Sequence, residues 1–143
     1  MAVIRNVGQA LLGAVLTFAG ITHLTVARSE FQAQVPGWFP LPADFVVLAS
    51  GVVEISLGLA LLTVWRQPAR GFLGAVAALF FVVIFPGNVA QWLEHKDGFG
   101  LDTDTKRLVR LFFQPLLVLW ALAATSAIST LRSRLAGRSE ATR

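Results

Sequence analysis

The sequence has 143 residues, of which 55% are hydrophobic and only 14% are charged, and its net charge is +4. Soluble domains carry about a quarter charged residues on average, so this deficit is typical of a chain that lies in a bilayer. The absence of cysteine excludes disulfides, thiolate metal sites and thiol redox chemistry by the chain itself. Length and composition therefore predict one small membrane domain.

Four apolar runs of about 20 residues follow one another along the chain, and each is long enough to cross the ~30 Å hydrocarbon core as a helix. None of them shows the polar face that a helix on the surface of a soluble protein would have. The first run is also longer than the ~7–15-residue core of a signal peptide. The predicted helices 1 to 4 cover residues 7–26, 45–65, 71–92 and 106–128.

Prolines and charges mark the boundaries of this predicted all-α, four-transmembrane-helix bundle. Pro86 and Gly87 lie inside helix 3, and an internal proline removes a backbone hydrogen bond, so we expect that helix to be broken or kinked near Pro86. Residues 1–131 form the single transmembrane domain. Residues 132–143 form a basic cytoplasmic tail, which we expect to be a frayed helix end or disordered.

Lysine and arginine are distributed unequally between the two sides of the predicted bundle. The side with both termini has seven arginines and one acid, whereas the other side has fewer basic residues and six acids. The positive-inside rule then predicts both termini in the cytoplasm (N-in/C-in) of a multi-pass protein of the inner cell membrane. Because the basic tail follows a hydrophobic helix directly, topology explains its charge, and we expect no nucleic-acid partner.

The two loops on the outer side differ in character. Residues 28–43 are rich in aromatic residues and proline, so we expect them to lie on the membrane surface or to cap the bundle. Residues 94–105 are short and acidic, and we expect them to be solvated. Their carboxylates could ligate a hard cation, but their spacing matches no standard calcium loop and helix capping explains two of them, so no metal site is predicted.

Five polar side chains fall within or at the outer ends of the apolar runs, where a charge costs roughly 2.5–3.5 kcal/mol at the bilayer centre. They come from all four helices, and in the predicted orientation all lie in the outer half of the membrane. Glu54 shares a helix face with Gly51 and Gly58, and small residues mark close helix contacts in membranes. The five residues are His23, Glu54, Asn88, Arg110 and Gln114.

The simplest arrangement pairs Glu54 with Arg110, while the other three side chains complete the hydrogen bonds. Two interpretations stay open at this point. A buried ion pair with amide partners can serve only to lock the helices in register. Alternatively, the five residues form a pocket that binds a ligand head group or relays protons, as intramembrane ionisable groups often do.

Each helix carries a distinctive segment. Helix 1 closes with FAGITHL, and VPGWFPLPADFVVLASGVVEISLGLALL leads into and through helix 2. Helices 3 and 4 contain FPGNVAQW and RLVRLFFQPLLVLWAL. Together these segments resemble the DoxX and DoxX-like family over about residues 7–125. The positions that carry the pattern are Gly20, His23, Pro40, Pro42, Ser50, Gly51, Glu54, Gly58, Pro86, Asn88, Arg110, Gln114 and Pro115, and Leu24 departs from it where an aromatic residue often follows the histidine.

The resemblance implies a bacterial four-helix membrane bundle. Members of that family have been linked to quinone-coupled sulfur oxidation, to membrane complexes that handle oxidative stress, and to membrane-protein assembly. The first hypothesis is therefore an accessory subunit of a quinone-linked redox system, rather than a self-contained enzyme. In it, the pocket holds a quinone or lipid, His23 or Arg110 donates to a carbonyl, Glu54 relays protons, and a membrane redox partner carries the electrons.

A second hypothesis is a non-catalytic assembly or interaction factor, in which the polar network is structural and residues 28–43 form the binding surface. A small-solute or proton pathway is a weaker third, because four helices enclose little space. The glycines of helix 1 favour packing within the chain, with a homodimer as the alternative. No residue is assigned a catalytic role, and the ligand and the partner are not identified by the sequence.

Overall fold

The computed structural model describes residues 1–140, and all regular secondary structure in this part of the chain is helical, with no strand. Four of its helices are long and apolar enough to cross a membrane, so the predicted all-α fold with four spanning helices is confirmed. Two short helices accompany them. In chain order the helices are α1 (Ala2–Leu24), α2 (Arg28–Gln32), α3 (Ala43–Thr63), α4 (Ala69–Leu93), α5 (Asp104–Thr125) and α6 (Ala127–Glu140).

The closest helix contact in the bundle is between α1 and α3, which run antiparallel. A Cβ atom at Gly20 would lie 2.6 Å from the carbonyl oxygen of Gly51, and one at Gly13 would lie 2.9 Å from that of Gly58. Real Cβ atoms do not approach an oxygen so closely, so only glycine permits this backbone contact. The glycines of helix 1 therefore pack within the chain, as the sequence predicted.

Helix α4 runs without interruption from Ala69 to Leu93 and includes Pro86. The helix is thus not broken at the proline, and the kink predicted there stays a prediction. One missing N–H removes a single hydrogen bond, which a helix of 25 residues tolerates when its neighbours hold it. Gly87 leaves room for the carbonyl oxygen of Gln34 to pack against this turn.

The last spanning helix ends earlier than predicted. Ser126 has φ 59°, in the left-handed region, and this stops α5 at Thr125 rather than at residue 128. A second helix, α6, follows and extends to Glu140. Residues 132–140 of the predicted tail are therefore the continuation of α6, whereas residues 141–143 lie outside the described residues. Thr130 anchors α6 by packing against Gly71 of α4.

Residues 25–42 and 94–103 together cover one end of the bundle, which we name the capped end. The aromatic rings of Phe31 and His23 stack there with centroids 3.2 Å apart. Lys96 donates a hydrogen bond from Nζ to the carbonyl oxygen of Val35 at 2.8 Å. Of the two arrangements expected for residues 28–43, the structure has the one in which they cap the bundle. The other end, formed by residues 1–6, 64–68 and 126–140, is the terminal end.

Candidate functional site

A cavity of about 620 Å³ occupies the half of the bundle beneath the cap. It extends inward as far as Leu12, Phe81 and Leu117, which lie near the midpoints of their helices. Most of its wall is apolar. All five polar residues singled out from the sequence line it: His23, Glu54, Asn88, Arg110 and Gln114.

Glu54 is paired with His23 rather than with Arg110. The Oε2 atom of Glu54 lies 3.2 Å from Nδ1 of His23, and these residues are only 5% and 6% exposed. The predicted Glu54–Arg110 ion pair is wrong, because no such pair lies within 4.0 Å among the described residues. The physical reason is the close contact of α1 with α3, which places the Cβ atom of His23 directly over Gly51.

The short distance between His23 and Glu54 does not give the carboxylate a hydrogen bond. Nδ1 of His23 also lies 2.8 Å from the carbonyl oxygen of Ala19, one turn earlier in α1. Nδ1 carries at most one proton, and it donates this proton in the hydrogen bond to the carbonyl oxygen of Ala19. Within the described residues Oε2 of Glu54 is left buried without a hydrogen-bond partner.

Asn88 and Gln114 connect α4 with α5. Asn88 donates from Nδ2 to Oε1 of Gln114 at 3.1 Å, and Gln114 donates from Nε2 to the carbonyl oxygen of Phe81 at 2.6 Å. The predicted amide contact between these two helices is therefore present. Oδ1 of Asn88 has no hydrogen-bond partner among the described residues.

Arg110 is half-buried and lines the cavity, and its side chain makes no hydrogen bond or ion pair with any described residue. Arg107, one turn earlier in α5, behaves in the opposite way. Its guanidinium bonds to the carbonyl oxygen of Lys96 at 3.0 Å, to Asp104 at 2.7 Å, and to Asp97. The Arg107 side chain is thus used in holding the cap, whereas that of Arg110 is available to a ligand.

Sequence analysis missed the contribution of the cap to the cavity. Phe31, Gln34 and Phe99 all line it, and Nε2 of Gln34 is buried without a partner within the described part of the chain. A loop has no fixed periodicity, so nothing in the sequence indicated which way the Gln34 side chain points. The one available signal was that Gln34 is the only polar side chain in residues 33–43.

Three buried polar atoms without partners therefore belong to residues of this cavity: Oε2 of Glu54, Oδ1 of Asn88 and Nε2 of Gln34. Buried polar groups in native proteins nearly always have a partner, which is often water or a ligand. Two of these atoms accept and one donates. Together with the unused donors of Arg110, they form a polar patch in an apolar cavity.

The bundle is least closed between α3 and α4. Helix α1 packs closely on α3, and α4 packs closely on α5, but α3 and α4 touch each other much less. Val83 of α4 lines the cavity and is still 64% exposed, as expected at a lateral mouth. A bilayer around the four spanning helices would therefore be in contact with this mouth.

The acidic side chains in the segment 94–105 are paired with basic neighbours. Asp102 pairs with Lys106 at 2.6 Å, and Asp104 lies 2.7 Å from Nδ1 of His95. The described residues contain no group of three or more histidine, aspartate or glutamate side chains placed to hold a metal ion. The N-cap of α5 is Thr103, whose hydroxyl accepts from the backbone N–H of Lys106.

The fold and the cavity define a multi-pass helical membrane protein with a polar patch buried in one half of its bundle. Residues 12–125 match the family described as "Domain of unknown function (DUF8561)", and the chain belongs to this family. No curated protein and no solved structure matches the chain. The matched region contains all five polar residues that the sequence singled out, but the family description names no activity. The resemblance to DoxX proteins therefore stays a prediction.

Proposed function

We propose that the protein binds a membrane-soluble molecule with a polar head group, of the quinone type, as an accessory subunit of a membrane redox system. The observation that carries this proposal is that three residues lining one apolar cavity each hold a buried polar atom without a partner among the described residues. A volume of about 620 Å³ falls in the range of small-molecule sites, ~300–1,000 Å³. The resemblance to DoxX-like proteins agrees with it.

The two redox forms of a quinone together fit the chemistry of the polar patch. The carbonyl oxygens of the quinone accept hydrogen bonds, for which Arg110 and Gln34 supply unused donors. The hydroxyl groups of the quinol can donate to Oε2 of Glu54 and Oδ1 of Asn88. The ring and isoprenoid tail of both forms are apolar, like most of the cavity wall. The tail would leave through the gap between α3 and α4 into the bilayer, which is also the route by which such a molecule would enter.

The role of Glu54 and His23 in this proposal is to handle protons. Reduction of a quinone to a quinol takes up two electrons and two protons. The carboxylate of Glu54 and the imidazole of His23 are ionisable groups of the cavity that can exchange a proton with a bound head group. The chain has no cysteine to hold an iron–sulfur cluster, and in this proposal the electrons come from a redox partner protein in the inner membrane.

A second function is supported by the surface of the cap. Trp38 is 71% exposed, and Phe39 and Leu41 beside it are also exposed. Aromatic residues are enriched where proteins bind one another. In this alternative the protein is a non-catalytic assembly or interaction factor and its polar network is structural. In both proposals the termini are cytoplasmic and the cap faces outward, because the arginines gather at the terminal end.

The test is to purify the native protein in mild detergent and to identify the quinones, lipids and proteins that come with it by mass spectrometry. We expect a stoichiometric quinone in the wild type, and its loss in Arg110→Gln. The matched control is Lys106→Gln, which removes a charge one turn away on the same helix but outside the cavity. A retained protein partner without any small molecule, in the wild type and both variants, would contradict the quinone proposal and favour the assembly function.

A further inference from the structure

The terminal end of the bundle is strongly basic, and its one acid is Glu140, the last residue of α6. Among the residues whose side chains are described, this end and the adjoining first turn of α4 carry Arg5, Arg66, Arg70, Arg132 and Arg134. The sequence has no aspartate or glutamate in residues 1–29, 55–93 or 105–139. The terminal end thus differs from the capped end, where nearly every basic side chain has a carboxylate partner.

Two of these arginines converge on the end of α5. Arg70 of α4 donates to Oδ1 of Asn6 at 2.7 Å and to the carbonyl oxygen of Ala124 at 2.7 Å. Arg5 of α1 donates from Nη1 to Oγ of Ser126 at 3.0 Å. These contacts hold both guanidinium groups on residues that are only two apart at the end of α5, Ala124 and Ser126. All of their described partners are neutral, so an anion is what the pair lacks.

Each of the two guanidinium groups keeps unused donors. A guanidinium has five N–H groups in a planar fork, and Nε of Arg70 is buried without a partner among the described residues. Arg5 uses one of its nitrogens in the contact with Ser126. Phosphate oxygens are the acceptors that such forks bind in a bidentate manner. Two adjacent forks with free donors therefore suit one phosphate group.

The surroundings of the pair are those of a membrane interface. The ring of Trp65 lies 5.8 Å from the guanidinium carbon of Arg70, and tryptophan favours the head-group level of a bilayer. Helix α6 presents Ile128, Leu131 and Leu135 on one face, and all three are exposed. An apolar stripe on an arginine-containing helix is typical of a helix that lies in the interface.

Arg134 of α6 connects this helix to the same surface. Its guanidinium carbon lies 5.8 Å from the centre of the Phe72 ring of α4, which is itself 40% exposed. Apolar side chains thus adjoin the basic groups, as the acyl chains below a phosphate would require. Free phosphate would make no use of these apolar side chains, so a lipid fits the surface better.

We propose that the terminal end binds an anionic phospholipid, with the phosphate held between Arg5 and Arg70 and the acyl chains against Phe72 and the apolar stripe of α6. The site lies at the opposite end of the bundle from the cavity and does not depend on the function proposed for it. Its effect is to fix α6 and the α3–α4 turn to the head groups of one leaflet.

The experiment is native mass spectrometry of the full chain in detergent, titrated with phosphatidylglycerol or with phosphatidylcholine of the same acyl chains. We expect a saturable phosphatidylglycerol adduct that is stronger than the phosphatidylcholine adduct. Arg5→Gln should weaken it about fivefold, which corresponds to about 1 kcal/mol for one basic residue near an anionic surface. The matched control Lys106→Gln removes one charge at the capped end and should leave the adduct unchanged.

A second variant covers the event that Arg5→Gln unfolds the protein. Arg134 makes no hydrogen bond or ion pair with a described residue, so Arg134→Gln should keep the fold and still weaken the adduct. Equal binding of the two lipids, or an adduct that neither arginine variant weakens, would overturn the proposal. Displacement of the lipid by millimolar inorganic phosphate would show that a free anion is the ligand and would overturn it as well.

Discussion

Nδ1 of His23 lies 3.2 Å from Oε2 of Glu54, but the carbonyl oxygen of Ala19, at 2.8 Å, is the acceptor of its proton. Histidine and glutamate are thus brought together by helix packing and not by a hydrogen bond. The close backbone contact at Gly51 is what brings them so near. The consequence is a carboxylate oxygen that is buried and unused within the described residues, in a cavity that also contains the unused donors of Arg110.

We expect Glu54→Gln to change ligand retention and not the fold. Glutamine has the volume of glutamate, and the Glu54 oxygen concerned has no hydrogen bond to lose. Thermal unfolding in detergent should therefore stay within about 1 kcal/mol of the wild type. The amount of small molecule that co-purifies should fall by an order of magnitude or more, because the polar patch loses the carboxylate that accepts a hydrogen bond from the bound head group.

The control for Glu54→Gln is Ser50→Ala, one turn away on the same helix. Ser50 also lines the cavity, but its hydroxyl donates to the carbonyl oxygen of Val47 at 2.9 Å and is therefore already used. The Ser50→Ala protein should retain the ligand at the wild-type level. A Glu54→Gln protein that fails to accumulate, next to a normal Ser50→Ala protein, would show that the buried carboxylate is structural.

The glycine contact between α1 and α3 gives a second prediction. Gly20→Ala should destabilise the protein by about 1–3 kcal/mol, because the added Cβ would meet the Gly51 carbonyl oxygen at 2.6 Å and force the helices apart. Unfolding in detergent, followed by circular dichroism, measures this change.

Gly8→Ala on the same helix is the control for Gly20→Ala. A Cβ at Gly8 would have its nearest neighbours, in Trp120 and Ala124, at 3.5 Å, which is an ordinary van der Waals distance. The stability of that variant should stay close to the wild type. Alanine has the higher helix propensity, so propensity would stabilise both variants. Equal loss of stability in both would therefore mean that the close contact with Gly51 does not set the effect.

A third prediction concerns the attachment of the cap at acidic pH. The carboxylate of Glu94 accepts from the backbone N–H of Gly37 and pairs with Lys96 at 2.7 Å. The Lys96 side chain first, and then the Gly37 N–H, hold the pKa of Glu94 below its usual value of 4.5. Because folding lowers this pKa, the ionised carboxylate of Glu94 stabilises the folded cap above pH 4.5. This stabilisation is lost as the pH falls through the pKa that Glu94 has in the folded protein. The protection of the Gly37 amide, corrected for intrinsic exchange, should therefore decrease below pH 4.5.

Two variants test whether Glu94 causes this pH dependence. Glu94→Gln should have low protection of the Gly37 amide at every pH, since the charge is absent throughout. Asp102→Asn is the matched control, because the Asp102 carboxylate pairs with Lys106 and does not contact Gly37. The pKa of Asp102 is lowered too, by the Lys106 side chain first. The same decrease in Glu94→Gln as in the wild type would exclude Glu94 as its origin.

Much of the site could be predicted because polar residues in apolar runs are conspicuous. A charge or amide that is costly in lipid must face the bundle, so depth and helix face together placed His23, Glu54, Asn88, Arg110 and Gln114 around one cavity. The glycine pattern also predicted which faces pack. These inferences depend on helical periodicity, which a single sequence contains.

The parts that could not be predicted depend on tertiary distances. Which partner Glu54 takes is decided by how closely α1 approaches α3, and periodicity does not give that separation. The end of α5 depends on one left-handed residue, Ser126, in a sequence that otherwise continues as a helix. Gln34 enters the cavity through the path of a loop, for which the sequence has no repeating signal.

The last prediction concerns Arg107 and Arg110 of α5, which are the same type of residue but differ in the contacts that they make. Arg107 is 5% exposed, and its guanidinium holds the carbonyl oxygen of Lys96 together with two aspartates. Arg107→Gln should lower the free energy of unfolding by about 1–3 kcal/mol, because the carbonyl oxygen of Lys96 and the two aspartates lose the donor that they share. Water can replace part of this loss at the aspartates, since both are partly exposed. Arg110→Gln should leave the unfolding temperature nearly unchanged, because no described residue depends on its side chain. Thermal unfolding of both variants in the same detergent, after removal of co-purified lipid, compares them directly. Equal destabilisation would mean that Arg110 is part of the structural network, and the ligand proposed for the cavity would lose its main donor.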